Sequence, residues 1–268
     1  MNNEFTEQAK LMTIGSDRFT VPMPPTFENL QDQQLYEKQR LAAGFRVFAM
    51  HGFDEGLAGH ITLRDCIAPD TFWVNPVGVH FAHIKASDLV RVDHKGTIVE
   101  GKFPINNAAF AIHSRIHMAR PDVNAVAHAH TKYGRAFSAL GELLLPISQD
   151  ACVFYENHSV FDVFSGVVAE VSEGDMIAET LGNKTAVILQ NHGLVTAGTS
   201  VDAAVANFVL MDSCCQSQLL AQAAGNLKLI SHEIAVKTKR ANGSELVTWG
   251  NFQPLYQRVL AQDSSFLD

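Results

Sequence analysis

Polar and apolar positions set the outline of this chain. In Asn124-Ala125-Val126-Ala127-His128-Ala129-His130, Val126, His128 and His130 alternate with three alanines. A period of two predicts a β-strand with the imidazoles on one face and the alanines on the other. Four more stretches read as strands: His60–Arg64, Thr71–Val74, Val187–Leu189 and Leu194–Ala197. Leu89–Val92 and Thr97–Glu100, joined through Asp93 to Gly96, form a hairpin pattern. Val153–His158 reads as a short strand or a strand end.

Helical spacing takes over elsewhere. Phe27–His51 carries Leu35, Leu41, Ala42, Phe45, Phe48 and Ala49, and Gly52 stops it. A helix capped by Asn106 or Asn107 runs to Ala119 with the stripe Ala109, Ile112 and Ile116, and Pro121 ends it. Further helices are expected at Lys132–Leu140, Asp175–Leu181, Val201–Ala224, Ile230–Lys239 and Phe252–Gln262. Strands and helices in this alternation, with hairpins between, predict a three-layer α/β/α fold around a mainly antiparallel central sheet. Residues 1–26, ending in a proline-rich run, are expected to be an irregular arm. Residues 27–225 form the main domain, and 226–268 a C-terminal extension packed on it.

The histidine strand changes the picture from fold to chemistry. Neighbours on one strand face lie about 6–7 Å apart at Cα, a spacing that suits two imidazole ligands of a divalent metal. His192 supplies a third candidate, at the end of an apolar run and just before Gly193. An isolated His-X-His is as well explained by ordinary satisfied histidines; His192 is what favours the metal reading. His113 and His117 lie four apart on one helix, but His113-Ser114-Arg115-Ile116-His117 lacks the glutamate of a metalloprotease helix. His113 is instead expected to support the site from behind. Tyr155, Glu156 and His158, three titratable groups in one short stretch, are candidates for moving protons.

Composition narrows the partners. The 268 residues are 47% hydrophobic and 18% charged, with a net charge of −8 and no basic run, which argues against nucleic acid. No apolar run approaches the roughly 20 residues of a membrane span. Cys66, Cys152, Cys214 and Cys215 show no ligand or disulfide spacing. Free thiols in a cytoplasmic protein are the simplest expectation.

Arg120-Pro121-Asp122, the strand from Val126 to His130, and Gln190-Asn191-His192-Gly193-Leu194 together resemble the class II aldolase/adducin family. The resemblance runs from about Gln39 to Ala224. It implies that His128, His130 and His192 hold one divalent ion, zinc first, with manganese or iron also accepting imidazole. It implies that Gly59-His60-Ile61-Thr62 and Asn75-Pro76-Val77-Gly78 are substrate loops, making Gly59, His60, Thr62, Asn75, Gly78 and Asn107 candidate binding residues. It also implies a homotetramer with sites at subunit boundaries.

Two departures matter. Val77, Asn107 and Ala108 stand where the family's aldolases carry hydroxyl donors for a phosphate. Counting back from His128 puts the aldolase glutamate at Ala109, which can neither bind a metal nor take a proton. The resemblance therefore implies a metal-dependent carbon–carbon lyase, a decarboxylase or aldolase of a small non-phosphorylated carbonyl or carboxylic acid compound. The alternative is a non-catalytic assembly module like the head of adducin.

Overall fold

The computed structural model describes residues 23–166 and 170–268. Residues 1–22, most of the expected irregular arm, lie outside them. The described elements run α1 (Leu30–Met50), β1 (His60–Arg64), β2 (Thr71–Val74), β3 (Val90–Asp93), β4 (Ile98–Glu100), α2 (Asn107–Ala119) and β5 (Ala125–Ala129). They continue with α3 (Lys132–Ser138), β6 (His158–Phe161), α4 (Val171–Leu181), β7 (Ala186–Leu189), β8 (Gly193–Gly198), α5 (Val201–Ala224), α6 (His232–Asn242) and α7 (Glu245–Gln262). The eight strands form one sheet in the order β4-β3-β2-β1-β5-β8-β7-β6. Every pair is antiparallel except β6 with β7. This is the three-layer α/β/α arrangement that the alternation predicted.

The pleat divides the sheet into two faces. Ile61, Leu63, Ala125, Ala127, Ala129, Ile188 and Leu194 share a core with α1 and α5. Val126, Val187, Val195 and Ala197 share another with α2 and α4. The alanines of β5 leave room on the first face for the long helix α5, whose buried residues include Val201, Ala204, Val205 and Phe208. Helix starts follow side-chain caps: Asn29 accepts from Asp32 N–H, Asn106 from Ala108 N–H, Thr131 from Gly134 N–H and Ser200 from Ala203 N–H.

The structure departs from the pattern at two places. Val153–His158 is not a strand: Ala151–Phe154 forms a 3-10 turn, and β6 begins only at His158. Glu156 has φ 53°, which interrupts any extended run through it. The last helix starts at Glu245, after Ser244, rather than at Phe252, and continues through Pro254. Pro254 costs that helix one backbone hydrogen bond, but Phe252 and Val259 on either side are buried and hold it.

One buried ion pair ties α1, α5 and α7 together. The guanidinium of Arg40 bonds Asp202, and Gln253 contacts both partners at 3.0 and 2.9 Å. Arg40 also lies 3.8 Å from the ring centre of Tyr256. Removing the carboxylate would leave a buried cation unpaired, at about 3–5 kcal/mol. Asp202→Ala is therefore expected to lower Tm by roughly 6–20 °C, and Asp202→Asn by less. Calorimetry of the two variants checks this; an unchanged Tm for Asp202→Ala would contradict it.

Candidate metal centre and its cavity

Three strands and one turn bring the histidines together. β5 lies between β1 and β8 with His60, His128 and Val195 in one cross-strand row. His128 thus shares the α2/α4 face of the sheet with Val126. His130 follows the end of β5, immediately before the cap Thr131 of α3. His192 sits in the turn between β7 and β8, where Leu189 pairs with Gly193. Asn191 turns the chain with φ 58°, a left-handed conformation that asparagine tolerates. Gly193 lets β8 approach β5 closely: a Cβ there would meet the Ala129 carbonyl at 3.1 Å.

The candidate ligand atoms of His128, His130 and His192 all lie within 4.8 Å of one another, and this group can hold a metal ion. Their ring centres are 4.7–5.1 Å apart. His128 Nδ1 is 2.8 Å from the Leu194 carbonyl, so it carries the proton and donates. That fixes Nε2 as the coordinating nitrogen.

The cluster opens onto a cavity of about 410 Å3. Ala58, Ala108, Ile112 and Phe164 give it apolar walls, and His60, Asn106, Arg135 and Asn191 supply polar groups. Arg135, half-exposed, bonds Glu55 at 2.8 Å. No aspartate or glutamate lines the cavity among the described residues.

The sequence-derived site residues divide. Gly59 and His60 line the cavity. Thr62 lies behind it, fully buried, with its hydroxyl 2.8 and 2.9 Å from His113 and His117. His113 does back the site, 2.8 Å from His60. Asn75 and Gly78 do not line the cavity; Asn75 is buried with its Oδ1 unpaired, and Gly78 forms a turn at φ 82°. Asn106, the cap of α2, takes the lining position expected of Asn107.

Tyr155, Glu156 and His158 are not brought to the cavity. β6 and β7 run parallel, His158 beside Ala186 and Phe161 beside Leu189. His158 therefore sits at the end of these strands opposite His192. Both its nitrogens are engaged: Nδ1–H donates to the Phe154 carbonyl at 2.6 Å, and Nε2 accepts from Leu144 N–H at 2.8 Å. The Tyr155 hydroxyl lies 3.1 Å from His232 Nδ1, and Glu156 lies 3.6 Å from the same atom.

Ala109 also differs from expectation. It packs with Phe72, Val74, Val90 and Val92, while Ala108 and Ile112 turn to the cavity. Sequence reasoning missed Arg135, Phe164 and Asn191. Arg135 had a signal, one turn into the helix that Thr131 caps directly after His130. Phe164, in an irregular segment, had none.

Residues 39–219 match the family model of the class II aldolase and adducin N-terminal domain, and the chain belongs to that family. A decarboxylase NovR of Streptomyces niveus is 48% identical over 251 residues, 93% of this chain and 92% of the relative. A 4-hydroxy-3-prenylphenylpyruvate oxygenase/4-hydroxy-3-prenylbenzoate synthase of Streptomyces roseochromogenus subsp. oscitans is also 48% identical, over 93% of this chain and 90% of its own. The solved structure of an L-fuculose 1-phosphate aldolase from Glaciozyma antarctica PI12 superposes with a TM-score of 0.83. It is 41% identical and covers 90% of this chain and 94% of that one. No helix among the described residues is long and apolar enough to cross a membrane. All four cysteines are free.

Electrostatics keep the cluster uncharged. Burial, then His192 and His60, hold His128 well below the usual imidazole value. Burial and His130 lower His192 to about 4, and burial with Arg135 lowers His130. Behind them, burial and Arg64 lower His117 to about 3, and burial lowers His158 to about 4. A histidine held below its unfolded value near 6.5 is neutral when folded and protonated when unfolded in the window between. The unfolded state then binds more protons, so its stabilising share is complete above pH 6.5 and is lost as pH falls. Each such histidine adds up to about 1.4 kcal/mol per pH unit to that slope. The urea midpoint is expected to fall between pH 6.5 and 5, before most carboxylates titrate. A flat midpoint across that window would contradict the buried neutral cluster.

Proposed function

We propose that this chain is a divalent-metal-dependent carbon–carbon lyase of the decarboxylase kind. Its substrate is a small, non-phosphorylated acid carrying an aromatic or other apolar group. The observation that carries this is the convergence of His128, His130 and His192 on one wall of a largely apolar cavity. Three neutral imidazoles, one oriented by the Leu194 carbonyl, are a donor set that zinc, manganese or iron accepts. Zinc is the first choice. When bound there, the ion supplies a Lewis acid for negative charge that develops on a substrate oxygen as the carbon–carbon bond breaks.

The chain's own groups do the rest. Phe164, Ile112, Ala58 and Ala108 receive an apolar ring and keep water from it. Arg135, at the mouth, exchanges Glu55 for a substrate carboxylate. His60 and Asn106 offer polar contacts to oxygen, and Gly59 lets the backbone approach closely.

One relative's name, a decarboxylase, leans the same way; the other names an oxygenase of a phenylpyruvate, an acid of the proposed class in an oxygen-using reaction. The fuculose phosphate aldolase favours a sugar phosphate instead. This cavity offers a phosphate dianion one cation that already has a partner. Each missing charged hydrogen bond costs roughly 1.5–3 kcal/mol, so two losses weaken phosphate binding by about two to four powers of ten. An adducin-like assembly role needs no such histidine cluster, which is why the enzyme reading is preferred. We also take residues 27–225 as the family domain and 226–268 as an extension of it, as the packing of α7 on α5 and α1 supports.

The purified protein is expected to carry about one divalent ion per chain, and His128→Ala to lose it. The wild type should release carbon dioxide from a member of a panel of aryl 2-oxo, 2-hydroxy and aromatic acids, run in air and under nitrogen. Full metal occupancy in His128→Ala, or efficient cleavage of fuculose 1-phosphate with no acid turned over, would overturn this. We further propose a homotetramer in the cytoplasm. Light scattering at micromolar concentration should give four times the 29.3 kDa chain mass, and a monomer would contradict it.

A further inference from the structure

Of the three clustered histidines, His128 is held by its own ring, through the Leu194 carbonyl. The rings of His130 and His192 make no hydrogen bond among the described residues, and both residues lie just beyond strand ends. Their places are therefore set by backbone, and one short element touches both. His130 comes immediately before Thr131, the cap of α3. At the other end of α3, the Ser138 carbonyl accepts from Asn191 N–H at 3.3 Å, one residue before His192. α3 is thus a brace between two of the three candidate ligands. Its 7 residues are too few for a helix to persist without support.

The support comes from a buried acid that the proposed chemistry leaves unused. Asp212, on α5, is 7% exposed. Its Oδ1 accepts from Gly134 N–H at 2.9 Å, and the Thr131 hydroxyl donates to the same carboxylate. Gly134 N–H is shared with Thr131 Oγ1 at 3.1 Å. Arg135 N–H donates to the Thr131 carbonyl at 2.9 Å, so the cation at the cavity mouth stands on the same anchor. Close packing leaves α3 little room to shift. A Cβ on Gly134 would lie 2.5 Å from Thr131 Oγ1 and 2.8 Å from Cγ of Leu194, the residue whose carbonyl holds His128. Burial pushes the Asp212 carboxyl up, against the pull of its bonds from Thr131 and Gly134. A buried acid is costly unless hydrogen-bonded, and among the described residues both of its bonds end on the start of α3.

We propose that Asp212 is a positioning residue for the three-histidine cluster. Through Thr131 and Gly134 it fixes α3, and α3 fixes His130 and the turn that carries His192. The inference rests on the reading of that cluster as a metal centre. Groups that orient ligands from outside the coordination sphere typically change metal affinity ten- to a hundredfold. Asp212 does so through the backbone rather than through a ring nitrogen.

Cobalt(II) binding by the full chain tests this, read by visible absorption and by competition with a chelator. Asp212→Ala is expected to bind cobalt about ten- to a hundredfold more weakly than the wild type, with a changed visible band. Asp212→Asn keeps an acceptor for Gly134 N–H and should stay close to the wild type. Asp202→Ala, destabilised about 15 Å away along α5, should bind cobalt as the wild type does, which separates lost geometry from lost stability. Wild-type affinity and band in Asp212→Ala, or an equal loss in Asp202→Ala, would overturn the inference. If Asp212→Ala does not fold, Thr131→Val decides: it should weaken cobalt binding where Thr131→Ser does not, and equal binding by the two overturns the anchor. A wild type that binds no cobalt removes the metal reading and the anchor together. Weakened binding in Asp212→Ala of a protein that turns over no acid keeps the anchor and removes the lyase.

Discussion

The register of β5 between β1 and β8 is the constraint on which the rest depends. His60, His128 and Val195 form one cross-strand row, and Thr62, Val126 and Ala197 form the next. A slip of one residue would turn His128 to the α1/α5 core and bring an alanine to the cavity. The two faces of β5 resist that slip. Ala125, Ala127 and Ala129 sit where α5 and α1 pack close, and Val126 and His128 sit where α2 leaves room. The hairpin bringing His192 to the same place is fixed by the same row, since β8 pairs with β5 along its length.

Six histidines gather along this register: 60, 113, 117, 128, 130 and 192. Buried imidazoles are tolerable because each stays neutral and most find partners. His128 donates to a carbonyl, and His60, His113 and His117 bond through Thr62. The same neutrality leaves lone pairs available for a metal. On the cavity side, charge is kept to Arg135 and Glu55, which meet in partial solvent, and behind the cluster Arg64 lies partly buried beside His117. Stability below neutral pH is thus coupled to the property that makes the site useful.

Much of the sheet was legible because short runs rich in β-branched, aromatic or alternating residues between turn signals read as strands, and β1, β2 and β5, buried on both faces, match such runs closely. The histidine cluster was legible because His-X-His on a strand and His-Gly at a strand end are local signals. Tyr155, Glu156 and His158 misled because clustering in sequence carries no direction. β6 runs parallel to β7, so residues before it fall at the end away from His192. Ala109 misled for a subtler reason. Successive helical residues are rotated by about 100°, so an ungapped count from His128 across the turn at 120–124 cannot fix which of two adjacent alanines faces the cavity. Arg135 and Phe164 reach it through tertiary packing that no local pattern records.

The chemistry open to this cavity follows from what lines it. A reaction that begins by taking a proton from carbon calls for a base of suitable basicity within reach. Among the described residues no carboxylate lines the cavity, the Ala108 and Ile112 face of α2 offers none, and Glu55 at the rim is held by Arg135. Loss of carbon dioxide makes no such demand. The departing carboxylate leaves its electron pair to the substrate, and what is required is a place for that charge and a donor near the oxygen that receives it. In the reading proposed above, His128, His130 and His192, with the His60 ring 4.9 Å from that of His128, would serve that task. The absence of the aldolase glutamate then marks a change in the bond-breaking step more simply than it marks the loss of catalysis.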